Sequence, residues 1–486
     1  MTISEAAIDL THVNNWIAGE WRDSPDRRTS IDPATGQEIG TWAYAQESDV
    51  TDAIEAAARA FATTQWRHDR QLRARVLNRL ADLVEQHREE LVALLSLDNG
   101  KVRPEAEFEI GMVPPKLRYW AGMALVEQGR ASQPREGRLS LVVREPMGVA
   151  GIIVPFNSPV ILAVRSLAPA LAAGTTTVIK FPADAAQISG LFTRIVAEID
   201  ELPRGVVNAF VADRLGASAL VESPDVPVIS FTGSTATGRA ISAQAARRLK
   251  RLGLELGGKT PVILFPSADV AAAVPVLEKA LTTFAGQFCM TGSRLLVHSS
   301  IAAQVRDELA SRLRAVQVGP ATDPASDMGP LITRANVERV DAIVQRAIAA
   351  GAEVIVRGGP ATEGQLADGS FYRPTFLGVQ DPDSSIMQEE TFGPVLTITN
   401  FETEDEAIAI ANNSDYGLAA SVWSRDVEQP LRVARALEAG TVWINDWALV
   451  YDEFEEGGYK QSGQGRLNGL GALDDFCEYK HIAMKA

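Results

Sequence analysis

The chain has 486 residues, too many for one compact core, so two or three domains are expected. Its 46% hydrophobic and 22% charged residues are those of a globular protein. A formal net charge of -16 without a basic cluster argues against nucleic acid as a partner. Two cysteines, Cys289 and Cys477, exclude a disulfide framework and fit the reducing cytoplasm. The opening residues, MTISEAAIDLTHVNN, lack a charged-then-apolar export pattern. The most apolar region, Val149 to Ile179, is broken by Arg165 and several prolines, so no membrane span is expected.

In chain order, WIAGEW and then DPATG lie between short strand-like runs and predict a small hairpin region. Ser48 is placed to cap a helix through Asp52, Ala53 and Ile54. Leu72, Val76, Leu80, Leu83, Leu91 and Leu95 form a 3.6-residue stripe, predicting one longer helix that ends at Asp98-Asn99-Gly100. Between Gly129 and Pro146 the pattern becomes a turn and an extended segment, LSLVVREP. From Gly148, short β-branched runs alternate with helical ones: GVAGIIVPF, TTTVIKFP, VVNAFV and VPVISFTG, then TPVILF, SRLLVH, AEVIVRGG, GPVLTITNF and GTVWIN. The expected fold class is therefore α/β, with two doubly wound domains that meet near Gly257-Gly258 and a small β arm. The boundaries drawn are residues 1–128 with 147–256, residues 257–452, and residues 129–146 with 453–486 for the arm and C-terminal segment.

Several stretches suggest chemistry. Gly253 to Thr260, GLELGGKT, matches the phosphate-loop pattern, but Pro261 and a strand-like run follow it where a helix is needed. The dinucleotide fingerprint GxGxxG does not occur. A better-placed turn is FTGST, where Gly233 and Ser234 end a strand and open a helix whose N–H groups can face an anion. Lys180, at the end of another strand, adds a cation at the edge where such sheets bind ligands. Glu255, between Leu254 and Leu256, is in an apolar setting that would raise its pKa toward that of a general base. Asn157 has an amide able to donate to an oxyanion. Cys289, in FAGQFCMTGSR, lies on a glycine-rich turn that could present a thiol to a carbonyl carbon. Each of these alone is compatible with an ordinary buried residue.

Taken in order, PFN, VIK, FTGST, LELGGK, GQFC, EETFGPV and GGYKQSGQGR closely resemble the aldehyde dehydrogenase superfamily over nearly the whole chain. The resemblance implies that Cys289 is the nucleophile, Glu255 the base, and Asn157 an oxyanion donor beside the Cys289 N–H. It implies a cofactor, NAD or NADP, held in the first domain by Ile153, Val154, Pro155, Phe156, Lys180, Ala183, Gly233, Ser234 and Leu256. Glu390 and Phe392 would position its nicotinamide end. No metal is implied. Because the branch that passes its acyl group to coenzyme A usually lacks the glutamate, Glu255 favours hydrolysis to the acid. The arm would serve a homodimer or homotetramer, with Cys477 structural.

Three departures from the family pattern stand out. Phe156 replaces a frequent tryptophan, Ala183 stands where NAD-preferring members often carry a glutamate, and AFVADRLGAS lacks a usual glycine pair. For the small-molecule aldehyde itself, Arg165 falls eight residues after Asn157, slightly more than two helical turns. Two expectations compete there: a structural ion pair, or a fork that binds a substrate carboxylate or phenolic oxygen. Arginine at this spacing resembles succinic semialdehyde, salicylaldehyde and vanillin dehydrogenases, and Phe288, Trp447 and Tyr451 could supply ring contacts. The expected substrate is a substituted aromatic aldehyde, with a carboxylated semialdehyde as alternative. A member that binds cofactor without catalysis, or a cysteine hydrolase, ranks below these; no histidine sits in a partner motif, and His298 reads as an ordinary strand-end residue.

Overall fold

A computed structural model describes residues 12–126 and 129–485. Most of the opening segment read for an export pattern lies outside the described residues. Four of the β-branched runs, Val149–Ile153, Thr176–Phe181, Val207–Val211 and Val228–Thr232, together with a fifth strand that lacks β-branched residues, Arg251–Glu255, form the parallel centre of an eight-stranded sheet. Starting at Val149–Ile153, the chain steps outward through Thr176–Phe181 to Val207–Val211. It then crosses back to Val228–Thr232 on the other side and continues to Arg251–Glu255. The reversal leaves a crevice beyond the carboxyl ends of these strands, where loops from either side diverge. Asn157, Lys180, Ser234 and Glu255 all lie at or just past those ends.

The strand order closes with antiparallel edges. The WIAGEW hairpin, Asn15–Ile17 with Glu20–Arg22, adds to one edge through Trp16 opposite Ala209. At the other edge Gly463–Gln464 pairs with Leu254 and Glu255. Part of the segment drawn with the arm therefore completes the first sheet; a two-residue strand is too short to leave a periodic signal.

Between Glu255 and Pro261 the chain passes into a second sheet of seven strands. Its order is Glu353–Val356, Thr375–Gly378, Val395–Phe401, Arg294–His298, Pro261–Leu264, Ala419–Trp423, Thr441–Ile444. All neighbours are parallel except the first pair. Apart from both sheets, Arg130–Arg135, Arg138–Pro146 and Cys477–Lys485 make an antiparallel arm. Cys477 lies opposite Pro146 and Lys485 opposite Arg138, and Cys477 is buried.

Two helix readings change. Gln46, not Ser48, is the N-cap of Glu47–Thr63, in a reciprocal capping box with Asp49. The Leu72 to Leu95 stripe runs through two helices, Arg70–Gln86 and Arg88–Asn99, broken at His87 without a glycine or proline to announce it. Gly100 ends the second in the left-handed conformation expected of a C-cap. No helix of the described residues is long and apolar enough to cross a membrane.

Candidate active site

The nucleophile turn is built on an unfavourable backbone. After the helix Val270–Thr282, Phe284 and Ala285 both take left-handed φ values, 55° and 53°, and Gly286 follows at 71°. Non-glycine residues in this region cost on the order of 1–3 kcal/mol each and need support from their surroundings. Here the Phe284 N–H donates to Glu105 at 2.7 Å, and the buried Gln287 amide donates to the Phe284 carbonyl at 3.2 Å while accepting from the Ile332 N–H at 3.0 Å. Thr291 Oγ1 donates to the Phe288 carbonyl at 2.7 Å. A Cβ on Gly286 would collide with the Gly393 carbonyl. The outcome is a half-buried Cys289 against Phe288 and Trp447, whose rings meet edge to face at 5.7 Å. Trp447 is fixed by its indole N–H on the Met290 carbonyl at 2.8 Å. Tyr451, by contrast, is exposed and meets Phe454.

Asn157 reaches this turn directly. Its amide donates to the Gln287 carbonyl at 3.0 Å, which uses one of two N–H bonds and leaves the other for an oxyanion beside Cys289. Behind it lies a charged cluster that sequence reading missed. Glu109 accepts from the Val160 and Ile161 N–H groups at 3.1 and 3.3 Å, capping the helix Pro159–Ala173. Lys101 pairs with Glu109, donates to Ser158 Oγ at 2.9 Å and stands 3.7 Å from the centre of the Phe284 ring. One segment, 101–109, thus ties the Asn157 strand end to the nucleophile turn. Glu105 and Glu109 sit one helical turn apart, a spacing that could have marked them.

Glu255 ends its strand buried, and its Oε1 has no hydrogen-bond partner among the described residues. Burial lifts its pKa to about 8 against the pull of Arg165. Burial likewise pushes the Cys289 thiol up to about 12, so the resting group is a thiol that needs a base. The glycine pair of LELGGK explains how these groups converge. A Cβ on Gly258 would lie 2.5 Å from the Cys289 carbonyl oxygen, and one on Gly257 would strike the Glu390 carboxylate. The Gly258 N–H instead donates to Glu390 Oε1 at 3.0 Å.

The remaining residues divide by burial. Ser234 Oγ accepts from the Thr237 N–H at 3.3 Å and caps the eleven-residue helix Thr235–Ala245 at the crevice. Lys180 is half-buried at its strand end, its pKa lowered to about 8 by burial, with Ala183 and the exposed Asp184 close behind in sequence. Phe156 and Phe392 meet edge to face at 6.0 Å across the two sheets' loops, and Phe392 holds a left-handed φ of 49°. Ile153, Val154 and Leu256 are buried, Leu256 against Gly238, so only their backbones or edges are available to a ligand. Pro155 and Gly233 flank the opening, and both are half-buried. A recess of about 230 Å³ is lined by Gly258, Phe288, Thr291, Glu390 and Phe392. Arg165, the candidate for a substrate contact, forms an ion pair with Glu456 at 3.0 Å.

A thiol, a buried carboxylate and an amide donor, meeting where two doubly wound domains join, define an enzyme of acyl or aldehyde chemistry. The chain belongs to the aldehyde dehydrogenase family, whose model matches residues 21–482. Among its relatives, betaine aldehyde dehydrogenase of Bacillus subtilis is 38% identical over 96% of each chain. The 2-aminomuconic semialdehyde dehydrogenase of Danio rerio is 37% identical, over 97% of this chain and 98% of that one. The structure of Staphylococcus aureus betaine aldehyde dehydrogenase in complex with NAD+ superimposes with a TM-score of 0.95 at 35% identity, over 97% and 95% of the two chains.

Proposed function

We propose that the protein oxidises an aldehyde to its carboxylic acid with NAD+ or NADP+, through a thioester on Cys289 that Glu255 helps hydrolyse. The observation that carries this reading is the convergence of Cys289, Asn157 and Glu255 around one cleft. The cofactor's fit is supported by the capped N-terminus of Thr235–Ala245, the strand-end Lys180 and the Phe156–Phe392 ring pair. When bound, the oxidised nicotinamide supplies the hydride acceptor. In the first half-reaction the Cys289 thiol gives its proton to solvent and sulfur bonds to the aldehyde carbon. The carbonyl oxygen becomes an oxyanion held by Asn157 and the Cys289 N–H. Its collapse expels hydride and leaves the thioester. In the second half, water gives a proton to the Glu255 carboxylate and its oxygen bonds to the acyl carbon; the C–S bond breaks, the acid leaves, and Glu255 returns its proton to the Cys289 thiolate.

For the substrate, Phe288 and Trp447 beside Cys289 favour a flat apolar group, as on a substituted benzaldehyde. Because Glu456 cancels the charge of Arg165, a carboxylate on the substrate has no free cation there to meet. The carboxylated semialdehyde is the second reading, favoured by the unpartnered Arg165 Nε. Cofactor reduction by a panel of aromatic, aliphatic and carboxylate-bearing aldehydes tests both; benzaldehydes should show the highest kcat/KM. A preference for carboxylated aldehydes would reverse the order. The open edge of Cys477–Lys485, paired on one side only by Arg138–Pro146, supports a homo-oligomer.

A further inference from the structure

All of the helix Pro159–Ala173 except Leu162 is buried, and a guanidinium in its middle has to be paired. Arg165 Nη1 donates to Glu456 Oε1 at 3.0 Å and Nη2 to Thr232 Oγ1 at 3.2 Å. Thr232 is the register partner of Glu255 on the neighbouring parallel strand, and the Gly233 N–H donates to the Glu255 carbonyl at 3.0 Å. Arg165 is therefore anchored about 5 Å, one strand spacing, from the base's strand. It has a buried Nε without a partner, and Glu255 has a buried Oε1 without one. An unpartnered donor on Arg165 and an unpartnered acceptor on Glu255 thus lie near one another.

Glu456 approaches from the opposite flank of Glu255. Glu255 pairs on that side with Gly463, and the Glu456 backbone exchanges hydrogen bonds of 2.7 and 2.8 Å with Leu467. Its second oxygen accepts from Asn468 Nδ2 at 3.0 Å, and Asn468 in turn accepts from Lys116 at 2.7 Å. Lys116 is paired with Asp452. This scaffold fixes Glu456 more firmly than an isolated ion pair would, because each member is held by the next. Among the described residues, Glu255 Oε1 has no such support.

We infer that Glu456 is a positioning residue for the hydrolytic half-reaction, which holds Arg165 so that the guanidinium does not clamp Glu255. The inference rests on Glu255 being the base. Without Glu456, the guanidinium's strongest remaining partner is the Glu255 carboxylate, and a fork-on-carboxylate pair would make that carboxylate a weaker base and hold it still. The other charged groups acting on Glu255, Arg466 and Asp475 from the C-terminal segment, and Cys289 across the cleft, stay in place.

The test combines stopped-flow and steady-state cofactor reduction by the full-length enzyme with benzaldehyde as probe, across pH. Glu456→Gln should keep the burst amplitude of the unmodified enzyme, lose at least about tenfold in kcat, and move the rising limb of kcat at least about one pH unit lower, a tenfold change in the base's proton affinity. Adding Arg165→Met should return the limb and recover most of kcat, because the clamp is gone. Equal loss of burst and kcat with an unmoved limb would reduce Glu456 to a structural role, and so would a double variant no better than Glu456→Gln. Normal cycling by Glu255→Gln in the same assay would instead remove the base assignment, and the inference with it.

Discussion

Nucleophile and base reach one cleft from opposite kinds of backbone. Cys289 follows two left-handed non-glycine residues whose conformation is held by Glu105, Gln287 and Thr291. Glu255 ends an ordinary parallel strand, and its carboxylate is left with an unpartnered oxygen. The contrast follows the work each does. A nucleophile must hold one attack position, so side-chain hydrogen bonds are spent on its turn. A base must change its charge within each turnover, and every fixed hydrogen bond would favour one of its two states. The left-handed region is thus rigid and over-determined, whereas the base is buried with one oxygen left free to change its state.

The comparison breaks most completely at the thiol. Cys289→Ala should abolish cofactor reduction at every aldehyde concentration, since no carbon–sulfur bond can form; residual turnover measured by absorbance would move the chemistry elsewhere. Next is the point where the two regions touch. Gly258→Ala places a Cβ 2.5 Å from the Cys289 carbonyl, so thermal unfolding should show a lower Tm, with a cost of ~1–3 kcal/mol, and kcat should fall with it. A wild-type Tm and rate would mean that the Cys289 turn yields easily, against the rigidity described above.

Glu105→Ala sharpens the comparison, because it loosens the turn without touching the base. It leaves the Phe284 N–H without its acceptor, at about 1–3 kcal/mol. Thiol alkylation rates should change and the burst should slow, whereas the pH at which kcat rises, near 8 from the lifted Glu255 pKa, should stay. That limb rises with pH because only the deprotonated carboxylate accepts the proton from water. The smallest effect concerns the cofactor. With Ala183 uncharged and Lys180 near, NADP+ should be used appreciably, and a preference for NAD+ beyond about a hundredfold, about 2.7 kcal/mol, would contradict this.

How much of this was legible in the sequence differs between the same two regions. The β-branched runs announced both sheets, and the strand ends carrying Asn157 and Lys180 followed from them; the strand that ends in Glu255, RLGLE, has no β-branched residue and gave no such signal. The supports of the turn did not show. Glu105 and Glu109 sit among exposed-looking charges in RPEAEFE, and only the folded helix turns them inward. Glu456 lies in the acidic run DEFEE, which reads as a solvated surface; its burial depends on Arg165, 291 residues away in the chain. Long-range pairing of opposite charges leaves no periodic trace. Arg165 itself was visible, but its ion-pair partner was not.

The division of labour between a fixed thiol and a responsive carboxylate is tested most directly by transient kinetics of Glu255→Gln with a benzaldehyde. The account predicts one equivalent of reduced cofactor per site in a burst, then a steady rate at least about a hundredfold below that of the unmodified enzyme, because the thioester forms and is stranded. A steady rate equal to the unmodified enzyme's would show that water is activated elsewhere and would contradict the central claim.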